Sequence, residues 1–178
     1  MKYNLITITG QLGSGKSTLA KLLSKRLSWQ YYSTGMAQRM IAQKRGITTT
    51  ELNRLAILDS AIDHEIDSVF ENPPWGNQPC VVDSRLAFHF LPHSLKVCLL
   101  VDMKIAAKRV LNAKGRISEE YTTEQEAYNF LIKRQELEQA HFIKNYNLDA
   151  MDTTQFDVVI DTTHLTPEEV YNKIISYL

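Results

Sequence analysis

Cysteine is nearly absent from this chain, whose 178 residues include only Cys80 and Cys98. Each lies in an apolar, strand-like run with no CxxC or histidine-rich spacing beside it. That excludes a disulfide framework and points to two buried thiols in a reducing cytosol. Net charge is absent too, because 20 Lys and Arg balance 20 Asp and Glu. A balanced chain has no field to hold a nucleic-acid backbone, so nucleic acid is not expected as a partner. A local basic site for a small polyphosphate remains compatible with that balance. Long hydrophobic runs are missing. The longest, Val97-Cys98-Leu99-Leu100-Val101, falls far short of the ~20 residues that span a bilayer. The stretch before Gly10 holds one lysine and a very short apolar segment, which is no signal peptide. No repeat or low-complexity tract appears. What remains is a cytoplasmic protein with no membrane partner, expected as a monomer with one sizeable core.

The most specific feature present is Gly10-Gln11-Leu12-Gly13-Ser14-Gly15-Lys16-Ser17, the G-x-x-x-x-G-K-[ST] pattern of a phosphate-binding loop. A β-rich run, residues 4–9, precedes it, and residues 17–27 follow with apolar positions at helical spacing. Strand, glycine loop and helix are what the chemistry requires. Glycines let successive N–H groups converge on phosphate oxygens, and the helix N-terminus favours the negative charge. Gly10, Gly13, Ser14, Gly15, Lys16, Ser17 and Thr18 are therefore the expected ATP contacts. Lys16 would reach the β and γ phosphates, and the Ser17 hydroxyl would ligand Mg²⁺.

Five runs read as strands: 4–9, about 30–33, 80–83, 96–101 and 157–161. Helical patterns alternate with them, which predicts an α/β domain with a mostly parallel sheet and ligands at strand C-termini. Two stretches read as insertions. The first, about 34–77, has helix starts near Thr34, Thr49 or Thr50, and Ser60, and ends in the turn-rich Asn72-Pro73-Pro74-Trp75-Gly76-Asn77. The second, about 114–152, centres on one long helical pattern over 123–146. Trp29 and Trp75 read as packing residues. Thr166-Pro167-Glu168-Glu169 is a capping box with proline at the first helical position.

Further chemistry has to come from charged residues at strand ends. Asp83 closes an apolar strand, a Walker-B-like place for a carboxylate that holds Mg²⁺ with Ser17. Asp102, after the next strand, reads as a helix cap. Arg39 and Arg85 can face one acceptor pocket if their strands flank the P-loop strand, and paired guanidiniums suit a phosphate. Arg109, Arg116 and Arg134 are candidates for stabilising charge on a transferring phosphoryl group from a mobile lid. Arg134 with Glu138 also fits ordinary i,i+4 surface pairing.

Taken in order, these pieces resemble the cytidylate kinase-like group of P-loop nucleoside monophosphate kinases, in its compact archaeal type. The matching pieces begin with residues 10–18 and with Ser33-Thr34-Gly35 followed by Arg39. They continue through Arg45-Gly46-Ile47, Glu51-Leu52-Asn53, residues 62–67, residues 82–87, Val101-Asp102, residues 107–110 and residues 146–149. Residues 156–162 lead into Pro167-Glu168-Glu169-Val170, so the likeness covers nearly the whole chain. It implies a P-loop three-layer sandwich: a five-stranded parallel sheet flanked by helices, with a small helical monophosphate-binding insertion and a lid. It also implies MgATP-dependent phosphorylation of CMP and dCMP. Thr34, Gly35, Arg39, Asp83 and Arg85 would then form the acceptor side, with Lys16, Arg109, Arg116 and Arg134 serving the transferring phosphate. Two positions depart from the family. Met36 stands where an acidic residue is usual, and Ala140-His141-Phe142 where Arg-Arg-Tyr or similar is common. Two other readings stay open from the residues alone. One is a kinase of a hydroxylic metabolite with Asp83 as general base, and the other a nucleotide-binding protein with little turnover.

Overall fold

Period-two burial explains the central strand of the sheet. In β1 (Leu5–Gly10), Ile6 and Ile8 are fully buried against one layer of helices. Thr7 and Thr9 point the other way, where buried hydroxyls need partners. Thr7 Oγ1 lies 2.9 Å from Ser94 Oγ, and Thr9 Oγ1 donates to the Ser84 carbonyl at 3.2 Å. The same alternation puts Val81 of β3 (Cys80–Asp83) with the isoleucines and Cys80 and Val82 on the opposite face. The computed structural model from which these contacts are taken describes residues 2–113 and 121–178.

Five strands form one all-parallel sheet in the order β2-β3-β1-β4-β5, with β2 at Gln30–Ser33, β4 at Leu95–Leu100 and β5 at Val158–Asp161. Each strand lies within one residue of its sequence expectation. The chain leaves β1 toward one edge and later enters β4 on the other side of β1. Connections diverging from a central strand open a crevice at the carboxyl ends, the usual place for a ligand in such sheets.

Helices α1 (Lys16–Leu27) and α8 (Pro167–Ile175) cover one face, burying Leu19, Leu23, Val170 and Ile174. The other face carries α5 (Ala87–Phe90), α6 (Met103–Leu111) and α7 (Glu124–Tyr146). Local chemistry fixes the helix starts. Thr166 accepts from the Glu169 N–H while the Glu169 carboxylate accepts from the Thr166 N–H, and Thr123 and Glu126 repeat the device on α7. Asp102 takes the N–H groups of Lys104 and Ile105, the capping role expected of it. Trp29 and Trp75 are buried in separate apolar clusters, as packing residues. Both cysteines are buried free thiols, and burial pushes Cys80 up to about 12 and Cys98 up to about 11. Neither is a nucleophile at neutral pH.

Between β2 and β3 the chain makes α2 (Thr34–Arg45), α3 (Thr49–Leu58) and α4 (Ser60–Asp67), starting where the sequence predicts. These three pack on one another around Ala42, Leu52, Ala56, Ile62 and Ile66. Helices this short do not persist alone in water. Full burial of Leu52 and Ile62 stabilises the trio by ~1.5–3 kcal/mol per side chain. Among the described residues no helix is long and apolar enough to cross a membrane.

Gly10 marks where β1 turns into the phosphate loop. A Cβ there would lie 2.2 Å from the Leu99 carbonyl oxygen and 2.7 Å from its nitrogen, on a backbone with φ of +142°. Those atoms belong to the β1–β4 ladder and cannot retreat. Gly10→Ala should cost about 3 kcal/mol through overpacking and backbone strain, or ~6–12 °C in Tm for a chain this long. Gly15→Ala, where a Cβ meets nothing within 4 Å, should lose only a few degrees. Thermal unfolding followed by circular dichroism compares the two, and equal losses would mean that the Gly10 contact does not matter.

Candidate active site

Residues 10–17 wrap the C-terminal end of β1 and feed directly into α1. Gly13 and Gly15 hold φ of +75° and +91°, conformations that turn successive N–H groups inward at little cost only for glycine. Side-chain bonds brace the loop from behind. Ser14 Oγ donates to the Gln11 carbonyl at 2.8 Å, and Thr162 Oγ1 sits 3.1 Å from the Ser14 carbonyl. Gln11 Oε1 accepts from the Val101 N–H at 2.7 Å, tying the loop to the end of β4. Lys16 Nζ donates to the carbonyls of Gly10 and Gln11 at 2.7 and 2.8 Å, so its ammonium lies over the mouth of the loop. Thr18 is exposed in the first turn of α1.

Ser17 Oγ donates to Asp83 Oδ2 at 2.5 Å. The β1–β3 pairing sets this contact by placing Asp83 opposite Ile8, at the strand ends beside the loop. A hydroxyl and a carboxylate oxygen side by side are hard oxygen donors of the kind Mg²⁺ takes. The pair therefore fits the ion that the P-loop pattern implies. Tyr31 adds its hydroxyl, 3.4 Å from the same Asp83 oxygen. Burial, chiefly, raises the Tyr31 pKa. Asp83 raises it further, while a hydrogen bond with Ser33 and the charge of Arg39 oppose. Tyr31, Asp83 and Arg39 thus share one electrostatic neighbourhood.

The β2–β3 register pairs Ser33 with Asp83, so α2 starts beside the carboxylate. Ser33 Oγ caps α2 by accepting from the Met36 N–H at 3.2 Å. Thr34 and Gly35 form its first turn, and a Cβ on Gly35 would lie 3.5 Å from Arg39 Nη1. Arg39 therefore folds back toward the strand ends from an exposed position.

Arg85 follows Asp83 by two residues and forms an ion pair with Glu138 of α7. Glu138 also accepts from Arg134 Nε at 3.0 Å, so one carboxylate bridges two guanidiniums. Burial lowers the Arg85 pKa most, the Arg134 charge lowers it further, and Asp83 opposes. A cation held in that setting gains from a further anion. Thr9, Gly10, Arg85, Gln135, Glu138 and Phe142 border a cavity of about 30 Å³ between loop and α7. That volume holds one water. Gln135 Oε1 beside it is buried without a hydrogen-bond partner among the described residues.

The structure thus brings together Lys16, Ser17, Asp83, Arg39, Arg85 and Arg134. Arg109 lies elsewhere. Its guanidinium donates to Thr162 Oγ1 at 3.1 Å and to the carbonyls of Thr162 and Thr163 at 2.6 and 3.2 Å, behind the loop. Arg116 lies outside the described residues. Three contributors were not singled out from sequence: Tyr31, Gln11 and Glu138. Glu138 had a signal, its i,i+4 spacing from Arg134, but that spacing alone describes any helix surface.

Comparison with known proteins agrees with this geometry. A family described as an AAA domain matches residues 6–129. The cytidylate kinase of Sulfolobus acidocaldarius is 34% identical over 176 residues, covering 97% of this chain and 93% of that protein. The cytidylate kinase of Sulfurisphaera tokodaii is 33% identical over 174 residues, covering 98% and 94%. Among solved structures, shikimate kinase from Bacteroides thetaiotaomicron superposes with a TM-score of 0.67 at 16% identity, covering 97% of each chain. That likeness concerns the fold alone. With a P-loop, a hydroxyl–carboxylate pair and arginines around one crevice, and relatives matched over nearly their whole length, this chain belongs to the cytidylate kinase family and is a P-loop nucleoside monophosphate kinase.

Proposed function

We propose that this enzyme transfers the γ-phosphoryl group of ATP to CMP or dCMP, giving the diphosphate and ADP. The observation that carries the reading is the pair of cationic groups on the acceptor side, Arg39 from α2 and Arg85 held by Glu138 from α7. An acceptor that already bears a phosphate uses both. The preference for cytidine nucleotides rests on relatives named cytidylate kinase.

The P-loop N–H groups and Lys16 would cradle the β and γ phosphates, the ammonium moving from the carbonyls of Gly10 and Gln11 onto phosphate oxygens. Ser17 and Asp83 would hold Mg²⁺, which when bound offsets charge on the β and γ oxygens. Arg39 and Arg85 would orient the acceptor phosphate so that one oxygen attacks the γ phosphorus in line with the bridging oxygen that leaves. With a second pKa of ~6 the attacking phosphate is largely ionised at neutral pH, so no general base is needed. Arg134, beside Arg85, and Arg116 would meet charge on the transferring group. Catalysis is then positioning and charge compensation. In this reading residues 34–77 form the monophosphate-binding insertion, and 114–152 the lid with the helix behind it.

A hydroxylic acceptor would instead need a base. Asp83 is the candidate, but its Oδ2 is engaged by Ser17 at 2.5 Å, and two arginines would lack a phosphate to bind. A coupled ADP-release assay over CMP, dCMP, UMP, AMP, GMP, cytidine and a set of sugar alcohols decides between these. CMP or dCMP should turn over fastest. Faster phosphorylation of cytidine or an alcohol than of every monophosphate would overturn the proposal.

A further inference from the structure

The α2–α4 unit closes its own apolar core, yet α4 reaches α7 through polar side chains. Asp63 and Asp67 stand one turn apart on α4, and both meet α7. Tyr146 donates its hydroxyl to Asp67 Oδ2 at 2.5 Å. Asn145 Nδ2 and His141 Nε2 reach Asp63 Oδ2 at 3.0 and 2.9 Å, and His141 and Asn145 are themselves one turn apart. Two helices therefore face each other with matched polar positions at i,i+4 spacing. The Asp63–His141 pair is largely shielded from solvent, its side chains keeping 15% and 20% of their exposure, while Asn145 lies at the exposed rim. Burial, ahead of other causes, raises the pKa of both Asp67 and Tyr146. Tyr146 also sits edge-on to Phe90, which stacks on Phe70, so its ring is fixed from behind.

The position of this seam gives it a consequence. Over residues 134–146 α7 makes two sets of polar contacts, one with Arg85 and one with α4. At one end Glu138 holds Arg85, and at the other Tyr146, Asn145 and His141 hold α4. Arg39 rides on the α2–α4 unit, whereas Arg85 follows the end of β3, an interior strand of the sheet. The β2–β3 register anchors the start of α2 beside Asp83, and how α4 docks sets the freedom that Arg39 keeps relative to Arg85.

We infer that Asp63 and Asp67 are positioning residues that dock the α2–α4 unit onto α7 and so set the spacing of Arg39 and Arg85. The inference rests on the reading that these arginines bind the acceptor phosphate. Its effect falls on acceptor binding more than on ATP, because α4 belongs to the unit that carries Arg39, while the phosphate loop keeps its own bracing through Ser14 and Gln11.

The test is the Tyr146→Phe/His141→Ala double variant of the full-length protein, with hydrogen exchange and kinetics measured side by side. In the absence of nucleotide, amides of α2–α4 should exchange faster than in wild type, while those of β1, β3 and β4 keep wild-type rates. The acceptor KM should rise at least about tenfold, since two contacts to carboxylates are lost and one hydrogen bond of that kind is already on this scale, with the ATP KM within twofold. Asp67→Asn, whose amide oxygen still accepts from Tyr146, should stay within threefold of wild type on every measure. Unchanged α2–α4 exchange, with CMP turnover by wild type intact, would overturn the docking role alone. Equal rises in both KM values would also overturn it. A wild-type enzyme that phosphorylates no monophosphate would overturn the acceptor reading, and the positioning role with it.

Discussion

Lys16→Ala should abolish measurable phosphoryl transfer while the protein stays folded. Lys16 Nζ is the cation at the mouth of the loop, held over it by the carbonyls of Gly10 and Gln11. In the proposed reaction those carbonyls would give it up to the nucleotide, and it would neutralise charge that grows on the β–γ bridge as the bond breaks. Removing one preorganised neutral donor from such a site costs ~10²–10³ in rate, and a full charge should cost at least that. Folding should suffer little. The two hydrogen bonds come from a charged donor but are only partly buried, so each contributes less than the ~1.5–3 kcal/mol of a well-buried charged bond. Turnover under saturating MgATP and a thermal melt make the comparison. A variant that keeps near-wild-type kcat would remove the basis for reading residues 10–17 as the phosphate cradle. A variant that fails to fold would mean that Lys16 serves the loop's own structure first.

What could be read from the sequence, and what could not, follows the range of the interactions. The loop was legible because its parts are contiguous and glycines must sit where φ is positive, as at Gly13 and Gly15. Strands were legible to within a residue because their apolar runs are short and bounded by turn residues. The caps at Asp102 and Thr166 were legible because a cap spans only three residues. Strand order left no local trace, and it is strand order that sets Asp83 beside Ser17. Glu138 was half legible. Its pairing with Arg134 is helical spacing, whereas its bridge to Arg85 exists only once α7 lies across the end of β3. Arg109 shows the same limit from the other side. It has the composition of a phosphate ligand, but α6 lies against the turn after β5, and the Thr162 and Thr163 carbonyls take its guanidinium. Residues 62–67 entered the family resemblance, but the role of Asp63 and Asp67 left no local trace, because two carboxylates on a short helix look like a solvated face until α7 covers them.

The acceptor arginines should separate from the donor site in their kinetics, and from each other in size. Arg39 and Arg85 are proposed to hold a phosphate that stays bound throughout the reaction, so losing either should raise the acceptor KM with little change in the KM for ATP. A charged, partly buried hydrogen bond is worth ~1.5–3 kcal/mol, or about ten- to a hundred-fold in affinity. Arg39→Ala should fall in the lower part of that range, because Arg39 is exposed and water replaces some of what it gives. Arg85→Ala should fall at the top. Arg85 is paired with Glu138, and deleting it leaves that carboxylate with Arg134 alone, facing an incoming phosphate of the same sign. The variant then loses an attraction and exposes a repulsion. Neutralising the carboxylate separates the two effects. Glu138→Gln in the Arg85→Ala background should recover part of the lost acceptor affinity, about three- to tenfold, for like charges a few ångströms apart near a protein surface. No recovery would mean that Glu138 does not face the acceptor phosphate, and the bridge would then be a structural clasp on α7. If Arg39→Ala weakens ATP and spares the acceptor, the two ends of the crevice have been assigned in reverse, and Arg85 with its partners on α7 would have to be reassigned to the nucleotide donor.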